Sequence, residues 1–261
     1  MDHPFRILDP SRPSAEFAGK CALAVMAKAP RAGKVKTRLS PPLTPEQASA
    51  LNGCFLRDTV ASLRTATLSA PAETVISYTP LGEEAAFRGI LEEGALLLPQ
   101  RGDGFGERLL ATAEDLFTCG FSAVCLIDSD SPTVPTAEFA MASEWLLAPG
   151  DRAVLGPSAD GGYYLIGLQK PIAHLFEDIT WSTAIVATQT LERTAEVGLP
   201  VELLRPWYDV DDEASLCRLH EELFDHHSNV LRGYAAPHTR EYLAGIRQPG
   251  RATAVEVESP V

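Results

Sequence analysis

The chain has 261 residues, of which 45% are hydrophobic and 7% aromatic, enough apolar matter for a well-buried domain and too much for wholesale disorder. Its formal net charge of −13 argues against a broad basic surface, and so against general binding to nucleic acid or to an acidic membrane face. No uninterrupted apolar run approaches the ~20 residues that span a bilayer.

The opening residues, MDHPFRILDPSRPSAEF, carry neither an apolar signal core nor a small-residue cleavage site. Residues 1–20 are therefore expected to form a loosely ordered N-terminal arm, and the protein to be cytoplasmic. Cys21, Cys54, Cys119, Cys125 and Cys217 form no C-x-x-C pair and no zinc spacing, and all five read as reduced thiols. The first buried strand is CALAVMA at 21–27, an apolar run without alternation. It empties into a cationic loop at 28–38. Thr44, Pro45 and Gln47 then predict a helix start, with Thr44 as N-cap, Pro45 in the first turn and Gln47 closing a capping box. That helix should run to about 65.

The alternation then repeats. A strand is predicted at 73–78, a short helix at 83–92 and a strand at 95–99. A Gly-rich turn at 102–106 leads to a helix at 107–118. AVCLI at 123–127 reads as another buried strand, followed by a helix at 136–147. Strands at 153–156 and 163–168 precede a helix at 183–197, a strand at 201–204 and a helix at 213–224. The domain is thus assigned to 21–224. The pattern fades in a C-terminal extension, 225–261, expected to be partly disordered with a short helix at 239–246. Strands alternating with helices predict an α/β, Rossmann-like fold, a mostly parallel central sheet with helices on both faces. Such sheets bind ligands outside the carboxyl ends of their strands.

The residues that carry chemistry gather at those ends. Lys28, Arg31, Lys34, Lys36 and Arg38 crowd one loop of an acidic protein, a cost that a bound anion would relieve. Gly33 lets the backbone approach a phosphate closely. Asp128 and Asp130 leave AVCLI in a tight turn and can put oxygens on Mg²⁺ or Mn²⁺. In Asp209-Val210-Asp211-Asp212, one carboxylate is expected to cap the next helix, from Asp211 or Asp212, while Asp209 or Asp211 faces the metal. Asp160 could orient or deprotonate an acceptor. The Gly161-Gly162-Tyr163 and Trp181-Ser182 segments are compatible with a binding wall, although turn geometry accounts for the glycines, and Ser182 or Thr183 could cap a helix. No Walker A loop, nucleophile elbow or dinucleotide fingerprint is present.

Several segments occur in an order that resembles one family. They are Lys28-x-Pro30-x-x-Gly33-x-x-Lys36-Thr37-Arg38-Leu39, the turn from Gln100 to Phe105-Gly106-Glu107-Arg108, Ser129-Asp130-Ser131-Pro132, Gly156-Pro157-x-x-Asp160-Gly161-Gly162-Tyr163-Tyr164, Trp181-Ser182-Thr183 and Tyr208-Asp209-Val210-Asp211. Over about residues 21–224 the chain looks like the transferases found beside radical-SAM and selenium-domain proteins, in the GT-A nucleotide-diphospho-sugar transferase superfamily. Its Lys36–Leu39 segment also resembles 2-phospholactate guanylyltransferases. The sequence departs from the family pattern at Asp128, where Gly is expected, which leaves Asp130 the firmer metal ligand.

The resemblance implies a transferase that uses a nucleotide-activated donor, a small-molecule acceptor and Mg²⁺ or Mn²⁺. Glycosyl transfer from a nucleoside diphospho-sugar leads; nucleotidyl transfer from an NTP to a phosphorylated small molecule is the alternative, and a non-catalytic nucleotide-binding protein the third. The implied phosphate-binding set is Lys28, Gly33, Lys36, Thr37, Arg38 and Arg108. Asp128, Asp130 and Asp211 would serve the metal, with Asp130, Asp160 and Lys36 catalytic and Gly161, Gly162, Tyr163, Trp181 and Ser182 on the acceptor side. No nucleic acid or membrane span is expected as a partner, and the sequence leaves the oligomeric state open, a homo-oligomer included.

Overall fold

The structure, a computed structural model, describes residues 4–225 and 231–246. An eight-stranded sheet runs in the order β1-β4-β3-β2-β5-β7-β6-β8. These strands are Arg6–Ile7, Cys21–Lys28, Ala72–Thr79, Leu96–Pro99, Ala123–Ile127, Ala153–Pro157, Tyr163–Leu168 and Val201–Leu203 for β1 to β8. Every neighbouring pair is parallel except the two that β7 makes, with β5 and with β6.

Strand β2 lies between β3 and β5, which explains its unbroken apolar run. Its side chains still alternate between the two faces. Cys21, Leu23, Val25 and Ala27 enter one core, whereas Ala22 and Ala24 enter the other. The first core also takes Leu51 and Phe55 of α1 (Pro45–Ala66), Phe139 of α3 (Thr136–Leu147) and Leu219 of α5 (Glu213–Phe224). The second takes Leu109 and Leu116 of α2 (Phe105–Cys119) and packs against Leu191 of α4 (Val186–Glu196). The result is three layers, helix on sheet on helix.

Helix α1 starts where the sequence predicts. Thr44 accepts from the Gln47 N–H, Gln47 accepts from the Thr44 N–H, and Pro45 sits in the first turn. Asp212 caps α5 by accepting from the Ser215 N–H at 2.8 Å, which leaves Asp209 and Asp211 outside the helix.

Three expectations need correction. The arm is not loose along its described length: the Leu8 N–H donates to the Leu97 carbonyl at 2.8 Å, and Phe17 stacks on Phe121 with centroids 4.3 Å apart. Burial of Phe5, Leu8 and Phe17 anchors it, although its strand has only two residues and shows no periodicity. The helix expected at 83–92 is a single 3-10 turn, Glu84–Phe87. Helix α4 begins at Val186 with neither Ser182 nor Thr183 as its cap; Ser182 has φ +63°, and Thr183 Oγ1 donates instead to the Thr180 carbonyl. The short helix expected in the C-terminal extension is present as α6 (Pro237–Gly245), which buries Thr239 and Leu243 and whose first N–H groups are held by the buried carboxylate of Asp58 on α1. Residues 247–261, including the expected frayed tail, lie outside the described residues.

Candidate active site

The sheet brings the site together at one edge. Strands β2, β5 and β6 are parallel in sense and end there with Lys28, Ile127 and Pro157; β7 runs the other way, so it begins there, at Tyr163. The turn after β5 is fixed to the segment after β8 by the Val210 N–H, which donates to the Asp130 carbonyl at 2.9 Å.

Two clefts open at this edge. One, about 310 Å³, is lined by Lys28, Lys34, Lys36, Thr37 and Arg38, with Asn52 and Ser129. The other, about 290 Å³, holds the carboxylates of Asp128, Asp130, Asp160, Asp209 and Asp211. Met26, Asp130 and Asp211 line both and form their junction. Cations thus line one cleft and carboxylates dominate the other.

Lys36 stands at the junction. Its side chain is 3% exposed, and its Nζ lies 2.7 Å from Asp130 Oδ1, 2.8 Å from Asp211 Oδ1 and 2.7 Å from the Val210 carbonyl. These contacts occupy all three donors of the ammonium. Burial alone would push its pKa down, but Asp130 and Asp211 outweigh burial and the net shift is upward, so the cation persists. Lys36 adopts φ +48°, a left-handed conformation that is strained for a residue with a Cβ. Arg38 holds the other oxygen of Asp211. Burial opposes ionisation of Asp211, yet Lys36 and Arg38 keep its pKa below the usual range.

The remaining carboxylates are differently placed. Asp128 accepts from the Ser131 hydroxyl at 2.8 Å, and burial, reinforced by Asp130, raises its pKa well above the carboxylate range. Asp209 accepts from the Ser158 hydroxyl at 3.1 Å, and burial followed by Asp160 and Asp211 raises it too. Asp160 accepts from the Gly162 N–H at 2.9 Å and is exposed. Among the described residues, no cation lies within ion-pair distance of Asp128, Asp160 or Asp209. The donor atoms are oxygens throughout, the chemistry a hard divalent cation takes, and the negative charge exceeds what Lys36 and Arg38 supply. The residues fit such an ion. Among the described residues no closed group of three metal-binding side chains is preformed, and Lys36 stands between Asp130 and Asp211.

Most of the residues singled out from sequence converge here. Lys28, Lys36, Thr37 and Arg38 line the cationic cleft; Asp128, Asp160, Gly162, Tyr163, Trp181 and Ser182 line the acidic one. Three stand apart. Gly33 turns the loop at φ +70° without lining either cleft, and Arg108 donates to the Asp103 carbonyl at 2.7 Å. Gly161 serves the backbone: its φ is +90°, and its carbonyl accepts from the Ala187 N–H at 2.9 Å. Sequence reasoning missed Met26 and Asn52, and also Phe105, an exposed aromatic in a Gly-rich turn, which was a readable signal.

The fold is that of the GT-A-like superfamily, the α/β architecture shared by nucleotide-sugar transferases and nucleotidyltransferases. A protein from Desulfovibrio desulfuricans G20, described as a candidate nucleotide-diphospho-sugar transferase, is 30% identical with a TM-score of 0.74, over 87% of this chain and 96% of its own. The chain belongs to the same family as that protein. Residues 62–183 match the profile of the family described as uncharacterized protein conserved in bacteria (DUF2064). At the level of fold alone it is similar to a nucleotidyl transferase from Methanothermobacter, 15% identical over 77% of this chain and 96% of that one, with a TM-score of 0.50. A cytidylyltransferase from Leptospira borgpetersenii is similar to the same degree, with a TM-score of 0.50 and 10% identity over 88% of this chain and 97% of that one. No curated protein matches the sequence. Among the described residues, no helix is long and apolar enough to cross a membrane.

Proposed function

We propose that this protein is a Mg²⁺- or Mn²⁺-dependent glycosyltransferase that takes a nucleoside diphospho-sugar as donor and a small molecule as acceptor. The observation that carries this reading is the segregation of charge between two joined clefts. Lys28, Lys34, Lys36 and Arg38 suit the donor diphosphate, with Arg38 as a fork and the lysines as point charges. Asp130 and Asp211, at the junction, would hold the cation, with Asp128 behind them. When bound, that ion supplies positive charge against the leaving diphosphate. Lys36 and Arg38 reinforce it from the protein side. Asp160, exposed in the acidic cleft, orients or deprotonates the acceptor hydroxyl. The narrower grouping with the transferases beside radical-SAM and selenium-domain proteins is part of the same proposal.

The density of cations also suits an NTP, which keeps nucleotidyl transfer as the second reading. That reaction in its expected form brings a phosphorylated second substrate, which the exposed Asp160 in the acidic cleft opposes. The test is a thermal-shift panel of NTPs and nucleotide sugars, each with and without Mn²⁺. A ligand at a hundred times its Kd adds about 2.7 kcal/mol, which at roughly 2–4 °C per kcal/mol is a rise of several degrees. A Mn²⁺-dependent rise with one nucleotide sugar, followed by sugar transfer, is the expected result. A rise with NTPs alone would transfer the assignment to nucleotidyl transfer.

A further inference from the structure

The acidic cleft has a second wall. Phe105, the first residue of α2, is 46% exposed, and its ring meets Trp181 edge to face at 5.1 Å and 82°. Trp181 is pressed against α2 so closely that a Cβ on Gly106 would lie 2.7 Å from its Nε1. Glycine at 106 therefore seats the indole. Val186 continues this apolar wall inside the cleft, and Ile185 beside it is 49% exposed. An exposed Phe105 beside a half-buried Trp181 in the lining of a cleft is the kind of apolar surface that a ligand covers.

We infer that this cleft is an acceptor subsite for a neutral, hydroxyl-bearing ring compound, a sugar, glycoside or cyclic alcohol, and that it excludes phosphorylated and carboxylated acceptors. The inference rests on the donor reading above and names the other substrate. Two kinds of lining determine the class. Phe105 and Trp181 offer rings against which the C–H face of a flat molecule packs. In the same cleft, Asp128, Asp160 and Asp209 present oxygens that accept from hydroxyls. Asp160, exposed and with no ion-pair partner among the described residues, sets like charge against an anionic acceptor, which discriminates by repulsion as well as by fit. The volume of about 290 Å³ falls at the low end for small-molecule sites, suited to a small acceptor. The cationic cleft across Asp130 and Asp211 leaves this side of the junction for the group that receives the sugar.

The experiment is saturation-transfer NMR with phenyl β-glucoside, glucose and glucose 6-phosphate as probes, on the wild-type chain and on Phe105→Ser and Trp181→Ala. The expected result is transfer to phenyl β-glucoside that is strongest at its ring protons, weaker transfer to glucose, and none to glucose 6-phosphate. Affinity for the phenyl glucoside should fall about tenfold or more in Trp181→Ala, a loss of about 1.4 kcal/mol. Phe105→Ser removes an exposed ring and controls for folding. Binding of glucose 6-phosphate as strong as that of the neutral probes overturns the inference, as does undiminished phenyl glucoside binding in both variants. The nucleotide thermal shift, measured on the same proteins, separates the two readings. Its absence in the wild type sinks the donor assignment, whereas its loss only in Trp181→Ala assigns the wall to the donor base and sinks the acceptor inference.

Discussion

Lys36 and Asp211 are 175 positions apart in sequence, yet the ammonium lies 2.8 Å from the carboxylate oxygen in a setting where the lysine side chain is 3% exposed. Asp130 completes the arrangement at 2.7 Å. Lys36 is thus the internal counter-ion of two carboxylates that would also serve a divalent cation. The two cations compete for the same oxygens, and donor phosphates give Lys36 somewhere else to go. Mn²⁺ alone should therefore bind weakly to the wild type and more tightly once a nucleotide is present. Lys36→Met should bind Mn²⁺ alone about tenfold or more tightly than the wild type, the scale of ~1.4 kcal/mol, while its nucleotide affinity falls. Titration of the Mn²⁺ electron paramagnetic signal reads both. Equal metal affinity in the two proteins would show that Lys36 does not guard the site.

Asp130 lines both clefts and Asp128 only the acidic one, so their substitutions should differ. Asp130→Asn removes a ligand from the junction and leaves Lys36 to Asp211. Loss of one well-placed charge stabiliser costs about 10²–10³ in rate, and that is the expected fall in kcat. Asp128→Asn should cost less, because burial already favours the neutral form of that side chain. Steady-state kinetics with the donor from the thermal-shift panel provide the check. Turnover unchanged in Asp130→Asn, with metal dependence retained, would remove Asp130 from the metal site.

What the sequence made legible was local. The Thr44 capping box, the AVCLI strand and the bounds of α3 and α5 depend on neighbours within a turn or a strand, and each is seen where its pattern lies. The convergence of the Lys28–Arg38 loop with Asp130 and Asp211 followed from the rule that ligands gather at strand ends. The pairing of Lys36 with Asp211 did not, because nothing local distinguishes a lysine that will meet phosphate from one that will meet carboxylate. The antiparallel sense of β7 was hidden for a similar reason, since YYLIGL is apolar whichever way it runs. The delayed start of α4 follows from the left-handed turn at Ser182, which propensity does not announce.

His174 supplies a pH test away from the clefts. Its imidazole lies 2.6 Å from Glu196 and 3.1 Å from Glu177, with Arg193 bound to Glu196 beside it. Glu196 first, then Glu177, raise its pKa above the ordinary value, against the smaller opposing influence of Arg193. A raised folded pKa means that protonation stabilises the fold. The contribution is full below the unfolded value of about 6.5 and is lost as pH rises through the folded value. His174→Gln should therefore melt below the wild type at about pH 5.5, on the acid side of that window, with the gap closing on the alkaline side. Melting curves across that window decide it, and a gap that widens with pH would contradict the assignment.

The Gly161-Gly162 pair shows how far the acidic cleft depends on backbone rather than side chains. Gly161 has φ +90°, and a Cβ there would come 2.0 Å from the Ala184 carbonyl oxygen. Gly162 has no such φ, and its Cβ would come 3.2 Å from Asp160 Oδ1, at the end of a side chain that can yield. A residue with a Cβ held at positive φ costs about 1–3 kcal/mol, before the backbone clash is counted. Gly161→Ala should therefore lower Tm by several degrees, at roughly 2–4 °C per kcal/mol, and displace the segment from Trp181 to Val186 that forms the apolar wall. Gly162→Ala should leave Tm nearly unchanged. Nucleotide binding should survive in both, because the cationic cleft shares neither glycine. If Gly161→Ala instead retained the wild-type Tm, the close approach of the Asp160–Gly162 turn to Ala184 would not be what holds the wall in place.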